Sequence, residues 1–568
     1  MIKEKILGLM EKSLCAYSDQ HIQNYFHRVQ QNGLTEHGFP RLTANIGILI
    51  AHGRRPDLLP LFVEMMELCC KVIPTAKFTS HSQACNDFSV REMISCLWEV
   101  ENTKLCPVEM TQRWRAYLAS ITPENCYTEF ATSPTDDFRN YVLFTTLSEY
   151  FRQAAHLCEA TDFIELQLQQ QLQWFDENGM YMDSQLSANH QDIVYDLVPR
   201  GLLSLLLDQG YRGKYYAVID EILRKSALLT LDMQSPNGEI PFGGRSNQFL
   251  HNEAWLIITF EYEAKRYAKE RNLALASRFK AASTRALAVI ESWLTKIPIR
   301  HIKNRFPTET FYGCENYAYF DKYMITVASM LYIAYLICDD SIPFTAIADH
   351  APCIAVTSQY FHKLFLKAGG YGLEFDLDAY SHYDANGLGR IHKEDVPSAI
   401  CLSCPCPSEP IYTVDIPNPI SLSLCSAIPE QGSWRFGAEE KTAKYQVLHT
   451  EKMQDCTTAT LLCQFDTDHT TKEQYTVSEN GVSVTVTGQG TIGFVLPAFF
   501  FDGEKHSTIL CTENSLDILY EGYRCRYTTN GEIIDLYKIA ANRNGHYRAF
   551  IAAAQNILHV DIEILKIE

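Results

Sequence analysis

Four stretches of this 568-residue chain mix titratable, amide and aromatic side chains densely enough to do chemistry. The first is Asn189-His190-Gln191-Asp192-Ile193-Val194-Tyr195-Asp196, with Arg200 following. Read as a helix from about Gln191, it places Asn189 and His190 at the helix start, where free backbone N–H groups favour an anion. Asp192 and Asp196 then share one face. The plainer alternative makes Asn189 a helix cap and His190 a solvated surface residue.

The second stretch runs from Ser235 to Glu253 and is dense in Gly, Pro, Asn and charge. Loops of this length are functional or disordered, and the interspersed Phe242, Phe249 and Trp255 argue against disorder. Gly243-Gly244 lets the backbone come close to a partner. Arg245 follows with a planar fork suited to a carboxylate. Glu239, His251 and Glu253 are acid/base candidates. The alternative is a structured loop capped by Asn252 at the next helix.

The third stretch, Phe311 to Tyr323, opens an otherwise apolar helix. Four-residue spacing puts Glu315, Tyr319 and Tyr323 on one face, with Tyr317 nearby. Tyrosines there can stack on a sugar ring, or act as acid or base if cations lower their pKa; they can equally be packing. The fourth stretch, Ser381 to His392, brings His382, Arg390 and His392 together beside Tyr383. Histidine delivers protons near neutral pH, and the rival role is hydrogen bonding between domains. A Gly-rich phosphate loop, a His-Glu-x-x-His motif and a Gly-x-Ser-x-Gly elbow are all missing from the sequence, which disfavours NTPase, zincin and α/β-hydrolase chemistry.

Two kinds of element must position these residues. Up to about residue 360, segments of helical length carry apolar residues at 3.6-residue spacing. They lack a fixed repeat, and their loops are unequal, which suits a toroid of helical hairpins more than a solenoid. The pattern changes near Leu366: Gly369 and Gly370 cannot sit in a stable helix, and short Val/Ile/Thr/Tyr-rich runs follow. Asn480-Gly481 and Thr529-Asn530-Gly531 read as hairpin turns. The expected architecture is a multidomain α+β chain, with an (α/α) toroid over 1–362 and an antiparallel β-sandwich over 363–568.

Composition narrows the partners. A formal charge of −19 disfavours nucleic acid and anionic membrane, while leaving room for an anionic small substrate held by a few arginines. The first residues lack the apolar run of a secretory signal, and no membrane-length apolar stretch occurs. Nineteen cysteines, an odd and scattered set, fit free thiols in a cytoplasmic compartment. Cys401, Cys404 and Cys406 cluster, but no second ligand pair accompanies them, so no metal is expected.

With these residues in view, the chain resembles the heparinase II/III-like group of carbohydrate-active enzymes. That group joins an (α/α) toroid to a β-sandwich, and lines the cleft between them with an Asn-His pair, a Tyr and a His. Asn189-His190 resembles the pair. Ala368-Gly369-Gly370-Tyr371 followed by His382 and His392 resembles the sandwich-side histidine region, and Tyr195, Tyr317 and Tyr319 compete for the tyrosine. The resemblance implies a lyase acting by β-elimination at a uronate, without cofactor. Asn189 with Arg245 or Arg200 would neutralise the substrate carboxylate, and a His or Tyr, from among His190, His251, His392, Tyr195 and Tyr319, would move the protons. Asn252, Glu315, Tyr317, His382 and Arg390 would help to hold the sugar.

Helical toroids also host glucuronidases, and hydrolysis would draw a carboxyl pair from Glu239, Glu253, Glu315 and Asp196. A non-catalytic glycan-binding scaffold is the third alternative. A cytoplasmic enzyme of this kind is expected to meet uronate-containing oligosaccharides and to act from their ends, with homo-oligomeric assembly left open.

Overall fold

Six helices bury one another in a ring, and charges that fall inside it are paired, as Arg41 is with Glu92 and Arg152 with Glu149. The computed structural model describes every residue except 76–84, 129–139, 184–188, 345–349, 440, 442 and 568. The described helices are α1 (Ile2–Leu14), α2 (Asp19–Asn32), α3 (Gly38–Ala51), α4 (Leu59–Val72), α5 (Cys85–Thr103), α6 (Val108–Ala119), α7 (Pro123–Cys126), α8 (Asn140–Ala154), α9 (Thr161–Gln171), α10 (Ile193–Asp208), α11 (Tyr216–Met233), α12 (Asn252–Lys269), α13 (Leu273–Leu294) and α14 (Phe320–Ile337).

The inner ring runs α3, α5, α8, α10, α12, α14 and back to α3, each packed on the next. In α3 every residue from Gly38 to Ile50 is buried. The apolar length of α14, sufficient on composition to cross a membrane, is accounted for by its place in this ring. Between α10 and α12 the approach is close enough that a Cβ on Gly201 would lie 2.5 Å from the Trp255 ring. The outer helices α1, α4, α6, α9, α11 and α13 pack on the inner ones from outside. The arrangement is an (α/α) toroid.

The strands form two antiparallel sheets. β1 (Cys353–Val356), β2 (Lys363–Ala368), β3 (Tyr371–Asp376) and β4 (Gly387–Lys393) make a four-stranded sheet in that order. The other sheet is built around two long strands, Gly481–Phe501 and Gly545–Lys566, paired antiparallel along most of their length. Leu366, Leu373 and Phe375 of the small sheet share one core with Tyr475, Val484 and Phe494 of the large one, making a sandwich.

The expected hairpin near Asn480 is present, with Glu479-Asn480 as the two-residue loop and Gly481 already paired with Ser478. The one expected at Thr529-Asn530-Gly531 is not a hairpin. Tyr523–Thr529 and Glu532–Asn542 both pair with Gly545–Lys566, whose 22 residues are long enough to take them end to end.

The small sheet abuts the toroid. Lys367 donates to the carbonyls of Leu231 and Gln234 at the end of α11, at 3.4 and 3.2 Å. The Lys363 ammonium sits 3.4 Å over the Phe242 ring. Glu374 accepts from the Phe242 N–H at 3.2 Å and pairs with Arg390 at 3.2 Å. The strands thus press on the loop between α11 and α12, which carries the residues of interest.

Candidate functional site

The loop segment Gly243-Gly244-Arg245-Ser246 is held in an unusual shape by three buried carboxylates. Successive N–H groups donate to different partners: Gly244 to Asp384 at 2.9 Å, Arg245 to Asp192 at 2.8 Å and Ser246 to Glu315 at 3.0 Å. The carboxylates come from the segment between β3 and β4, the start of α10 and the segment before α14. Gly244 has φ +77°, and a Cβ there would fall 2.0 Å from Asp192 Oδ1, so only glycine fits. Ser246 is also left-handed, at φ 62°, a conformation that costs a non-glycine residue on the order of 1 kcal/mol. Asn252 Nδ2 holds the Ser246 carbonyl at 2.8 Å.

Arg543, between the last two strands, completes the clamp. Its guanidinium donates to the carbonyls of Gly313 and Gly244 at 2.7 and 3.0 Å and to Glu315 at 2.9 Å, and lies 3.9 Å over the Tyr412 ring.

Asp192 stands at the cap position of α10 but caps nothing, because its carboxylate is turned to Arg245. Burial pushes its carboxyl up to about 6, with Arg245 pulling it back. Helix α10 starts at Ile193, so Asn189 and His190 lie in a turn ahead of it. Likewise α14 starts at Phe320, and Glu315 closes a turn onto Ala318 at 3.1 Å, so Glu315, Tyr319 and Tyr323 do not share a helix face.

Inside the mouth of the ring is a cavity of about 380 Å³. Its walls come from all six inner helices and the clamped loop, and include Phe144, Trp255 and Met330 as apolar surface. The Ser246 hydroxyl bridges two phenols here, 2.9 Å from Tyr195 Oη and 2.6 Å from Tyr317 Oη. Arg245 lies 4.5 Å over the Tyr195 ring, and its nearest carboxylates, Asp183 and Asp192, are both 3.8 Å away. That is beyond hydrogen-bond length, so among the described residues the guanidinium fork has no hydrogen bond.

Two buried histidines face the same cavity. Burial, then the charge of Arg41, keeps both His251 and His37 well below the ordinary imidazole pKa, so both are neutral at pH 7. The Nδ1 atom of each is buried without a hydrogen-bond partner among the described residues. The His251 ring lies in a parallel stack with Phe249 and Tyr323, at 5.3 and 5.8 Å. Burial raises the phenols of Tyr195, Tyr317 and Tyr323, so they remain protonated. Arg41 is committed to Glu92 at 3.0 Å and Thr326 at 2.8 Å. Toward the β-sandwich, Arg245, Asn316 and Tyr317 also border a hollow walled by Tyr383, Ile411 and Tyr412.

The structure therefore gathers Tyr195, Arg245, His251 and Tyr317 around one cavity, with Asn252 and Glu315 supporting the loop. His190 and His382 sit in a separate aromatic cluster between toroid and sandwich. The His190 ring is 5.2 Å from His362 and 5.5 Å from Tyr380, which is 4.7 Å from His382. Asn189 beside them is exposed, as is Tyr319 at the start of α14. Arg200 is fully buried, bonded to Asp196 and to Thr230 at 2.9 Å.

Glu239, Glu253, Arg390 and His392 gather on the other side of the loop. Glu239 accepts from Ser398, and Glu253 takes the Lys303 ammonium at 2.7 Å. Arg390 donates to the Ile240 and Ser403 carbonyls, both at 2.7 Å. His392 Nδ1 meets Ser235 Oγ at 2.7 Å, and burial lowers this histidine to about 3.

Sequence reasoning missed Ser246, His37, Asp384 and Arg543, and the role of Asp192. Ser246 could have been found from its place after Gly-Gly-Arg, and Asp384 from the polar segment around His382. Arg543 stands in Asn542-Arg543-Asn544-Gly545, which announces only a turn. Among the described residues no group of three or more His, Cys, Asp or Glu is placed to hold a metal ion.

No family model matches the chain, and no curated protein matches it in sequence. Solved structures do match. A heparinase III shares 9% identity over 93% of this chain and 77% of its own, with a TM-score of 0.50. A mutant of the heparan sulfate lyase HepC from Pedobacter heparinus shares 8% identity over 92% of this chain and 76% of its own, at 0.46. A chondroitin lyase that is a baculovirus envelope protein shares 9% identity over 92% and 76%, at 0.45. Identity this low speaks to fold alone, and the chain has the fold of that heparinase III: an (α/α) toroid followed by an antiparallel β-sandwich.

Proposed function

We propose that the chain is a carbohydrate-active enzyme that cleaves uronic-acid-containing oligosaccharides by β-elimination, with the uronate seated in the toroid cavity. One observation carries the reading: a guanidinium with no hydrogen bond among the described residues and a buried neutral imidazole share one cavity with protonated phenols.

Elimination needs three services, and the residues match them in turn. Arg245 pairs with the substrate carboxylate and so acidifies the C5 proton. His251, neutral and part of the cavity wall, accepts that proton. The electron pair forms the C4–C5 double bond as the C4–O bond breaks. The linked hydroxyls of Tyr317, Ser246 and Tyr195 then supply a proton to the leaving oxygen. A phenol held up by burial is suited to this donor role and unsuited to being the base. A cavity of about 380 Å³ is at the small end for ligand sites, which supports attack near a chain end.

Hydrolysis is the second reading, favoured by the Asp192 carboxyl at about 6, a value fit for a general acid, with Asp183 on the same arginine. Glu239 and Glu253 belong to the other side of the loop.

Incubation with a panel of uronate-containing oligosaccharides, read by ultraviolet absorbance and sugar chromatography together, tests the proposal. New absorbance from the C4–C5 double bond is the expected result. New reducing ends without absorbance mean hydrolysis. Binding with no product from any panel member would leave a glycan-binding scaffold.

A further inference from the structure

A second cavity, of about 420 Å³, lies between α13, the loop before α12 and the β-sandwich. The loop that carries Arg245 and Ser246 into the first cavity turns its next two residues, Asn247 and Gln248, into this one. The two spaces share a single strip of backbone as a wall.

Of the four cations that line the second cavity, three are held in ion pairs among the described residues. Lys303 is held by Glu253 at 2.7 Å, Arg305 by Asp502 at 3.2 Å and Glu521 at 2.6 Å, and Arg390 by Glu374 at 3.2 Å. The Lys296 ammonium donates no hydrogen bond and joins no ion pair among the described residues; it rests 3.3 Å from the centre of the Trp293 ring. Burial, then the charge of Arg305, draws this amine down to about 8, so at neutral pH it is a mostly charged, half-buried group that no acceptor among the described residues holds.

Around Lys296 the cavity offers what a polyol needs. Gln248, Asn544 and Ser403 form a hydrogen-bonded chain, with Gln248 Nε2 donating to Asn544 Oδ1 at 2.9 Å and Asn544 Nδ2 to Ser403 Oγ at 2.8 Å. Amides and hydroxyls retain further donor and acceptor capacity. Glu239 and Asp502 in the wall accept from the Ser398 and Tyr520 hydroxyls, and with Glu521 they disfavour a multiply charged anion such as phosphate.

We propose that this interdomain cavity is a second small-molecule site, for a carboxylated monosaccharide whose single negative charge meets Lys296 and whose hydroxyls meet Gln248, Asn544 and Glu239. The site is separate from the toroid cavity and does not depend on the reaction assigned there.

The test uses the full chain, with D-glucuronate as probe and D-glucose as uncharged control, followed by tryptophan fluorescence and calorimetric titration. Glucuronate is expected to give a saturable fluorescence change, because a carboxylate that recruits Lys296 alters the surroundings of Trp293. The change should persist in Arg245→Ala and vanish in Trp293→Phe. Affinity should fall at least tenfold in Lys296→Met, which keeps an apolar stem over Trp293, and should be largely restored in Lys296→Arg. Glucose should bind at least tenfold more weakly. Loss of glucuronate binding in Arg245→Ala with none in Lys296→Met, or no saturable binding to the unaltered chain, would overturn the proposal. Neither result bears on whether oligosaccharides are cleaved, which the absorbance assay reads independently.

Discussion

The guanidinium of Arg543 donates to the carbonyl of Gly244 at 3.0 Å across 299 residues of sequence, tying the β-sandwich to the loop that carries Arg245. The same guanidinium is the ion-pair partner of buried Glu315, which receives the Ser246 N–H. Arg543→Ala leaves that carboxylate buried beside an empty place, so the expected loss of stability is about 3–5 kcal/mol. Arg543→Lys should lose less stability but still fail to reach all its acceptors, and so lose activity. Urea unfolding alongside oligosaccharide turnover measures both.

Gly244→Ala is expected to abolish turnover. Its Cβ would meet Asp192 Oδ1 at 2.0 Å and its φ of +77° is strained for alanine, so the Arg245 N–H must leave its carboxylate. The backbone strain alone is about 1–3 kcal/mol. Gly33→Ala is the control for a left-handed glycine with open space around it. Loss of activity in both would point to general instability.

Arg245→Lys should reduce turnover sharply while moving the melting temperature little, because it loses the planar fork yet keeps a cation beside buried Asp183 and Asp192, each 3.8 Å from the guanidinium. His392→Ala should do the reverse, since this histidine is buried against Ser235 on the far side of the loop. Thermal melting and turnover measured on both variants separate the two roles.

The pH profile distinguishes the two chemistries. A neutral His251 acting as base has a pKa below 6.5, so kcat/KM should fall only on the acid side of that value and hold above pH 7. A hydrolase that needed protonated Asp192 would lose rate as pH rises through about 6. Initial rates between pH 4.5 and 9 decide.

Buried His301 makes a stability prediction. Burial lowers it to about 4, so between pH 6.5 and 4 the unfolded chain takes a proton that the folded chain refuses. Stability is therefore lost as pH falls through that window, by about 3 kcal/mol for this residue. His301→Leu should be less stable at pH 7, having lost its bond to the Ala318 carbonyl, yet show a shallower decline toward pH 4. Denaturant titrations at several pH values measure both.

The sequence carried the architecture in its periodicities. Apolar spacing marked the helices, and Gly369-Gly370 marked a turn between strands, although the first strand already begins at Cys353. Turn chemistry identified the hairpin at Asn480-Gly481, one residue past its actual loop, but not the partner of each strand, which is why Thr529–Gly531 misled: two short strands can share one long neighbour. In the candidate site, Gly-Gly-Arg marked the loop that the three carboxylates clamp, because strained backbone leaves a composition signal. Arg543 left none, since its role is set by contacts that form only when toroid and sandwich meet; Asp384 stood in a polar segment whose composition did not single it out. Arg200 shows the converse, a conspicuous arginine answered by Asp196 one helical turn away.

The clamped loop has a consequence for inheritance. Asp192 and Glu315 come from the helical part and Asp384 and Arg543 from the strand-rich part, so neither half encodes the loop's shape by itself. A recombination event that exchanged the sandwich for a distant relative's would keep every helix of the ring and still deliver a misshapen Gly244–Ser246 segment, unless both partners came with it. The two halves are bound to descend as one unit, and compensating changes should appear in pairs across their border.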